Sequence, residues 1–246
     1  MLNVLLWLIT VEAVAFAVLP LSYYLFPHLR DRGFSVSKPL GLLLIGYLSW
    51  ILSVLRVLPS TQLTILALVV VVGAVSWRYM WARRRELMDF VARERTALIV
   101  TEAVFLSVLI GWAVFRAYDP AIDHTEQPMD FMFLNATVRS YLGSPEDPWL
   151  RGEPVSYYYF GYWMMAVLTK LTGIPSNVSY NLSMALIPAL GAMGIFGLVY
   201  NMVRSEASRL RYAVAGGIAA ALLLTVAANL EGVLEFMRAN AMGSAP

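Results

Sequence analysis

Residues 63–81 read LTILALVVVVGAVSWRYMW, with a single charge at Arg78. Val69–Val72 is apolar on every side of a helix, and the run lacks the period-two alternation of a lipid-facing strand. As a helix it extends about 28 Å, close to the roughly 30 Å of hydrocarbon in a bilayer. The stretch therefore predicts a transmembrane helix, and six more apolar runs repeat the pattern. Leu2–Phe26, Leu40–Leu58, Leu98–Ala117, Val178–Val203 and Ala213–Leu230 are of spanning length, and Tyr158–Leu171 is a shorter fifth in chain order. The expected fold is an all-α polytopic membrane protein of about seven transmembrane helices with one large external loop.

Composition agrees. Charged residues make up 14% of the 246 positions, against about 25% in a soluble domain. Hydrophobic residues reach 59% and the mean hydropathy is +0.67. One core of this size does not need so much apolar surface, so the surplus must face lipid. A soluble enzyme, a disordered chain and a coiled coil are excluded. The chain has no cysteine, which removes disulfides, zinc–thiolate sites and thiol nucleophiles. A net charge of +2 gives no reason to expect nucleic acid as a partner. Leu2–Phe26 has no basic n-region and no evident cleavage site, so it reads as a retained helix rather than a signal peptide.

The basic residues orient the spans. Arg83, Arg84, Arg85, Arg93 and Arg95 lie between spans three and four, and Arg30, Arg32 and Lys38 between spans one and two. Both segments belong on the cytoplasmic side of the cell membrane, which puts the N-terminus and residues 118–157 outside. Arg204, Arg209 and Arg211 conflict with seven alternating spans, unless span five only dips into the membrane. Arg83–Arg95 reads as an amphipathic surface helix, a topology-setting charge run or a site for anionic lipid. Three regions follow: four spans over 1–117, an acidic external loop over 118–157, and three spans over 158–246 that are expected to continue into a longer protein past Glu231–Glu235.

The external loop holds seven of the sixteen acids, among them Asp123, Glu126, Asp130 and Asp147. A turn at His124–Gln127 and a helix from Pro128 would put Asp130 in the first turn, favoured by the helix dipole. Met129, Phe131, Met132, Phe133 and Leu134 make that helix too apolar for free solvent, so it should lie on the membrane surface. An acid held there is placed to act as a base toward an amphiphilic substrate. Arg151, in a proline- and glycine-rich turn, could pair with Asp147 or hold a phosphate. Tyr157, Tyr158 and Tyr159 would point three ways from a helix, so at least one faces protein or substrate. Asp123, His124 and Glu126 have ligand chemistry, but no metal centre is assigned. Glu12 and Glu102 are ionisable residues within or near spans. Gly191, Gly194 and Gly197, with Gly216 and Gly217, suggest close helix contacts.

Arg116-Ala-Tyr-Asp-Pro120, Thr125-Glu-Gln-Pro-Met-Asp130, Asp147-Pro-Trp-Leu-Arg-Gly152 and Tyr157-Tyr-Tyr-Phe-Gly161 together resemble the prokaryotic "YYY" family of multi-spanning membrane proteins. That family looks like the GT-C glycosyltransferases, which move a sugar from a polyprenyl-phosphate carrier. The resemblance implies a GT-C-like fold and an external-loop acid as catalyst. Asp130 would be the general base, and Glu126 would orient it or bind a divalent ion. Arg116, Asp147, Arg151 and the three tyrosines would bind the sugar donor or a glycan, lipid or protein acceptor. A transporter or flippase, and a non-catalytic membrane scaffold, are the competing expectations.

Overall fold

In a computed structural model, residues 2–204, 209–227, 234 and 237–240 are described. These residues form α-helices α1 (Leu2–Leu25), α2 (Ser37–Val54), α3 (Gln62–Trp81), α4 (Arg84–Tyr118), α5 (Gln127–Arg139), α6 (Phe160–Thr172), α7 (Ser176–Val203) and α8 (Leu210–Leu222). A 3-10 turn, Phe34–Val36, leads into α2, and α8 runs on as a π-helical turn, Leu223–Ala227. Most of Glu231–Glu235 lies outside the described residues.

Six helices are long and apolar enough to cross a membrane: α1, α2, α3, α4, α7 and α8 with its extension. The expected fifth span is not among them. Tyr158–Leu171 folds as the 13-residue α6, about 20 Å long at 1.5 Å per residue and short of a bilayer core. Both of its ends attach to the same end of the bundle. At the start, Trp50 Nε1 donates to Tyr159 Oη over 3.0 Å. At the other end, Lys170 Nζ donates to the carbonyls of Ser60 and Ser140 over 2.7 and 2.8 Å, and Gln62 Nε2 to that of Leu171 over 2.9 Å. Gly173 closes α6 in the left-handed conformation that glycine adopts without strain.

The loops sort to two ends. At one end the α1–α2 loop meets the close of α7, where Asn201 Nδ2 donates to Asp31 Oδ1 over 2.8 Å. Tyr23 packs edge-on against Phe90, and Tyr200 Oη donates to Glu94. Arg30, Arg32, Arg93 and Arg204 therefore gather at this end. At the other end, the Ser60 and Gly143 amides donate to the Tyr141 and Ser53 carbonyls, and Asn181 Nδ2 to that of Pro120. With α6 returning to the side it entered from, Arg204 falls on the side of the other basic loops. The conflict in the seven-span reading disappears.

Arg83–Arg95 is not a separate surface helix. It is continuous with the fourth span in the 35-residue α4, about 52 Å long, because no proline interrupts it. The core lies where α1, α2, α4, α6 and α7 converge around Trp7, Ile45, Phe105, Trp163 and Leu186. The outward faces of α1, α3 and α4 carry exposed Leu, Val and Ile, as lipid contact requires. Gly197 lets the 3-10 turn reach α7: a Cβ there would sit 1.9 Å from Ser35 Oγ. Gly217 similarly receives the Phe196 ring, whereas Gly194 meets nothing.

Candidate functional site

Helix α5 begins as the sequence predicts, at Gln127 with Pro128 in its first turn and Asp130 beside it. It packs on α6 and α7 through Phe133, Leu134 and Thr137. The Asp130 carboxylate accepts a hydrogen bond from the Tyr162 hydroxyl in the first turn of α6. Burial and this carboxylate push the Tyr162 phenol well above its ordinary value, so it remains a donor at any ordinary pH. Tyr180, buried on α7, packs edge-on against Phe131 and feels both the Asp130 and the Arg116 charge. Its hydroxyl is buried without a hydrogen-bond partner, as is Gln127 Oε1 three residues before Asp130.

An aromatic shelf adjoins the pair. Phe133 lies 5.6 Å from the Tyr162 ring, stacks on Tyr157 at 5.1 Å and meets Trp149 edge-on at 5.7 Å. Phe133 is buried, while Trp149 and Tyr157 open to the outside. The three tyrosines take three roles: Tyr157 joins the shelf, Tyr158 is 81% exposed, and Tyr159 accepts from Trp50.

The remaining predicted residues are elsewhere. Arg151 lines a cleft of about 910 Å³ with Asp147, Glu146, Arg139, Phe131 and Met132. Positions 131, 132, 135 and 139 face that cleft, and helical periodicity turns Asp130 toward α6 on the opposite side of α5. Asp130 and Arg151 thus do not share a pocket. Asp147 does not pair with Arg151: its Oδ1 accepts the Trp149 and Leu150 amides and closes the turn. Glu146 accepts the Gly152 amide. Arg116 is pinned by Asn181 Oδ1 at 2.8 Å and the Ala121 carbonyl at 3.0 Å.

Glu126 is exposed at the N-cap of α5 and shares only its backbone carbonyl with Asp130, whose amide it accepts. Tyr162, not Glu126, bonds the Asp130 carboxylate. His124 pairs with Asp119 at 2.9 Å and holds its carboxyl below the usual value. Among the described residues there is no group of three or more His, Asp or Glu side chains placed to hold a metal ion.

Three residues whose partners the sequence does not report carry much of the polar structure. Tyr162 and Tyr180 meet Asp130 through long-range packing that no local spacing reports. Lys38, expected in a cytoplasmic loop, is 2% exposed inside the bundle, with Nζ 2.9 Å from Glu12 and 2.7 Å from Glu102.

A many-helix membrane bundle with an acid and an aromatic shelf at one end defines the class. Residues 44–246 match the DUF2298 family, described as uncharacterised membrane proteins, and the chain belongs to that family. Neither a curated protein nor a solved structure matches it. The family description names neither the tyrosine triplet nor GT-C enzymes.

Proposed function

We propose that the chain acts as a GT-C-like membrane glycosyltransferase that works at the outer face of the cell membrane on a sugar carried by polyprenyl phosphate. One observation carries this reading: the Asp130–Tyr162 pair lies against the Phe133–Tyr157–Trp149 shelf. A carboxylate suits proton removal from an acceptor hydroxyl. Exposed Trp and Tyr faces suit the apolar faces of a sugar ring. The acceptor oxygen bonds to the anomeric carbon, the bond from that carbon to the phosphate oxygen breaks, and polyprenyl phosphate leaves with the electron pair. Asp130 takes the hydroxyl proton.

The supporting experiment is transfer from labelled polyprenyl-phosphate sugars in proteoliposomes, with a membrane extract as acceptor. Transfer that Asp130→Asn abolishes supports the assignment. Transfer unaffected by that change removes Asp130 as the base. A well-folded protein that transfers nothing across a broad donor panel favours the transporter or scaffold reading, the former drawing on the Glu12–Lys38–Glu102 cluster around buried Lys38.

A further inference from the structure

Glu12 is the eleventh residue of the 24-residue α1, so it sits about 15 Å along the helix from one end and about 20 Å from the other. Lys38 reaches it from α2 and Glu102 from α4. The ammonium is 2.9 Å from Glu12 Oε2, 2.7 Å from Glu102 Oε2 and 4.7 Å from the centre of the Phe105 ring. Around Glu12, the charged groups acting from the packed helices are Lys38 and Glu102. Helices α3, α6 and α7 bring no further charge to it among the described residues.

One ammonium faces two carboxylates. If both acids are ionised, the cluster carries a net charge of −1 between helices long and apolar enough to cross a membrane, where an unbalanced charge is disfavoured. Lys38 already uses Glu12 Oε2, while Glu12 Oε1 is buried and has no hydrogen-bond partner. The Glu12 and Glu102 side chains are 40% and 28% exposed, whereas that of Lys38 is 2% exposed. Charge balance and the open oxygen call for one small cation.

We propose that the Glu12–Lys38–Glu102 triad is an intramembrane proton-binding site that holds one exchangeable proton on its carboxylates. Such a site lets the bundle respond to a proton gradient across the membrane, a capacity separate from transfer chemistry at Asp130.

Infrared spectroscopy of the reconstituted protein reads this directly. At neutral pH the wild type shows a protonated-carboxyl C=O band that shifts in deuterium oxide. Glu12→Gln and Glu102→Gln each leave one acid balanced by Lys38, so each loses that band. Lys38→Met leaves two unbalanced acids, so the band grows about twofold, which a purely structural triad would not produce. If Lys38→Met does not fold, loss of the band in both glutamine variants carries the same conclusion. A wild type without the band, or a band equal in wild type and glutamine variants, overturns the proposal. So does a band that disappears when sodium replaces potassium in the buffer, because the site would then be a sodium site.

Discussion

Asp31 and Asn201, 170 positions apart, bond reciprocally: Asn201 Nδ2 donates to Asp31 Oδ1 over 2.8 Å, and the Asp31 amide donates to Asn201 Oδ1 over 3.2 Å. One follows α1 and the other ends α7, so they lie at the same end of the bundle. The chain between them must cross the membrane an even number of times. Helices α2, α3, α4 and α7 give four crossings. A fifth by α6 would separate the two residues by the full bilayer.

That parity predicts a labelling pattern. These 246 residues include no cysteine, so single replacements within them stand on a silent background. His28→Cys and Arg85→Cys should be modified by an impermeant thiol reagent from one side only. Leu58→Cys, Tyr158→Cys and Gly152→Cys should be modified from the opposite side only. If Tyr158→Cys and Leu58→Cys report opposite sides, the two-ended arrangement fails.

Asp130→Asn should reduce sugar transfer by roughly 10²- to 10⁴-fold, the range expected for loss of a general base. Tyr162→Phe should cost less, because it keeps the carboxylate and removes only the hydroxyl that aims it. The Tyr162 variant should also show a changed pH profile, since its phenol no longer donates to Asp130. Single-turnover transfer against pH measures both. A profile unchanged in Tyr162→Phe would detach Tyr162 from the reaction.

Some of this was written locally in the chain. Pro128 announces the start of α5 because proline suits a first turn and little else in a helix. The spanning runs are legible because hydrocarbon demands length and continuity. Tyr158–Leu171 misleads because it has a span's composition, and only its length speaks against one. Lys38 misleads because its neighbours in sequence are loop arginines, while the loop folds back and α2 begins at Ser37. The Asp130 partners stay hidden because Tyr162 and Tyr180 meet it through packing of α5 on two later helices.

Lys170 gives stability a pH dependence. Burial pushes its pKa down to about 8 from an ordinary 10.5, while its ammonium donates to the Ser60 and Ser140 carbonyls and the Ser60 hydroxyl. Between those two values the unfolded chain binds the proton and the folded chain releases it. Stability therefore rises with pH from about 8 toward 10.5. The gain should be about 2 kcal/mol, discounted for partial solvent access. Thermal unfolding in detergent should show the midpoint climbing over this window in the wild type and flat in Lys170→Met. A midpoint that climbs equally in both would assign the effect to other groups.

Gly197 lies one helical turn before Asn201 and accepts that residue's Nδ2 at its carbonyl over 2.7 Å, so the same amide bridges Gly197 and Asp31. A methyl at 197 would come within 1.9 Å of Ser35 Oγ and 2.1 Å of Ser35 Cβ. Asp31 Oδ2 accepts the Ser35 amide, so pushing Ser35 away also pulls on Asp31. Gly197→Ala should therefore destabilise the bundle by about 2 kcal/mol, the scale of an overpacked core. Ser35→Gly removes the clashing atoms and should recover part of that loss. Asn201→Ala removes the amide that ties both sites together and should cost about 1–3 kcal/mol. Because Gly197→Ala already loosens the Asp31–Asn201 bond, the two changes together should cost less than their sum. Unfolding midpoints of the single and double variants test this, and strict additivity would show that the 3-10 turn and the asparagine bridge act independently.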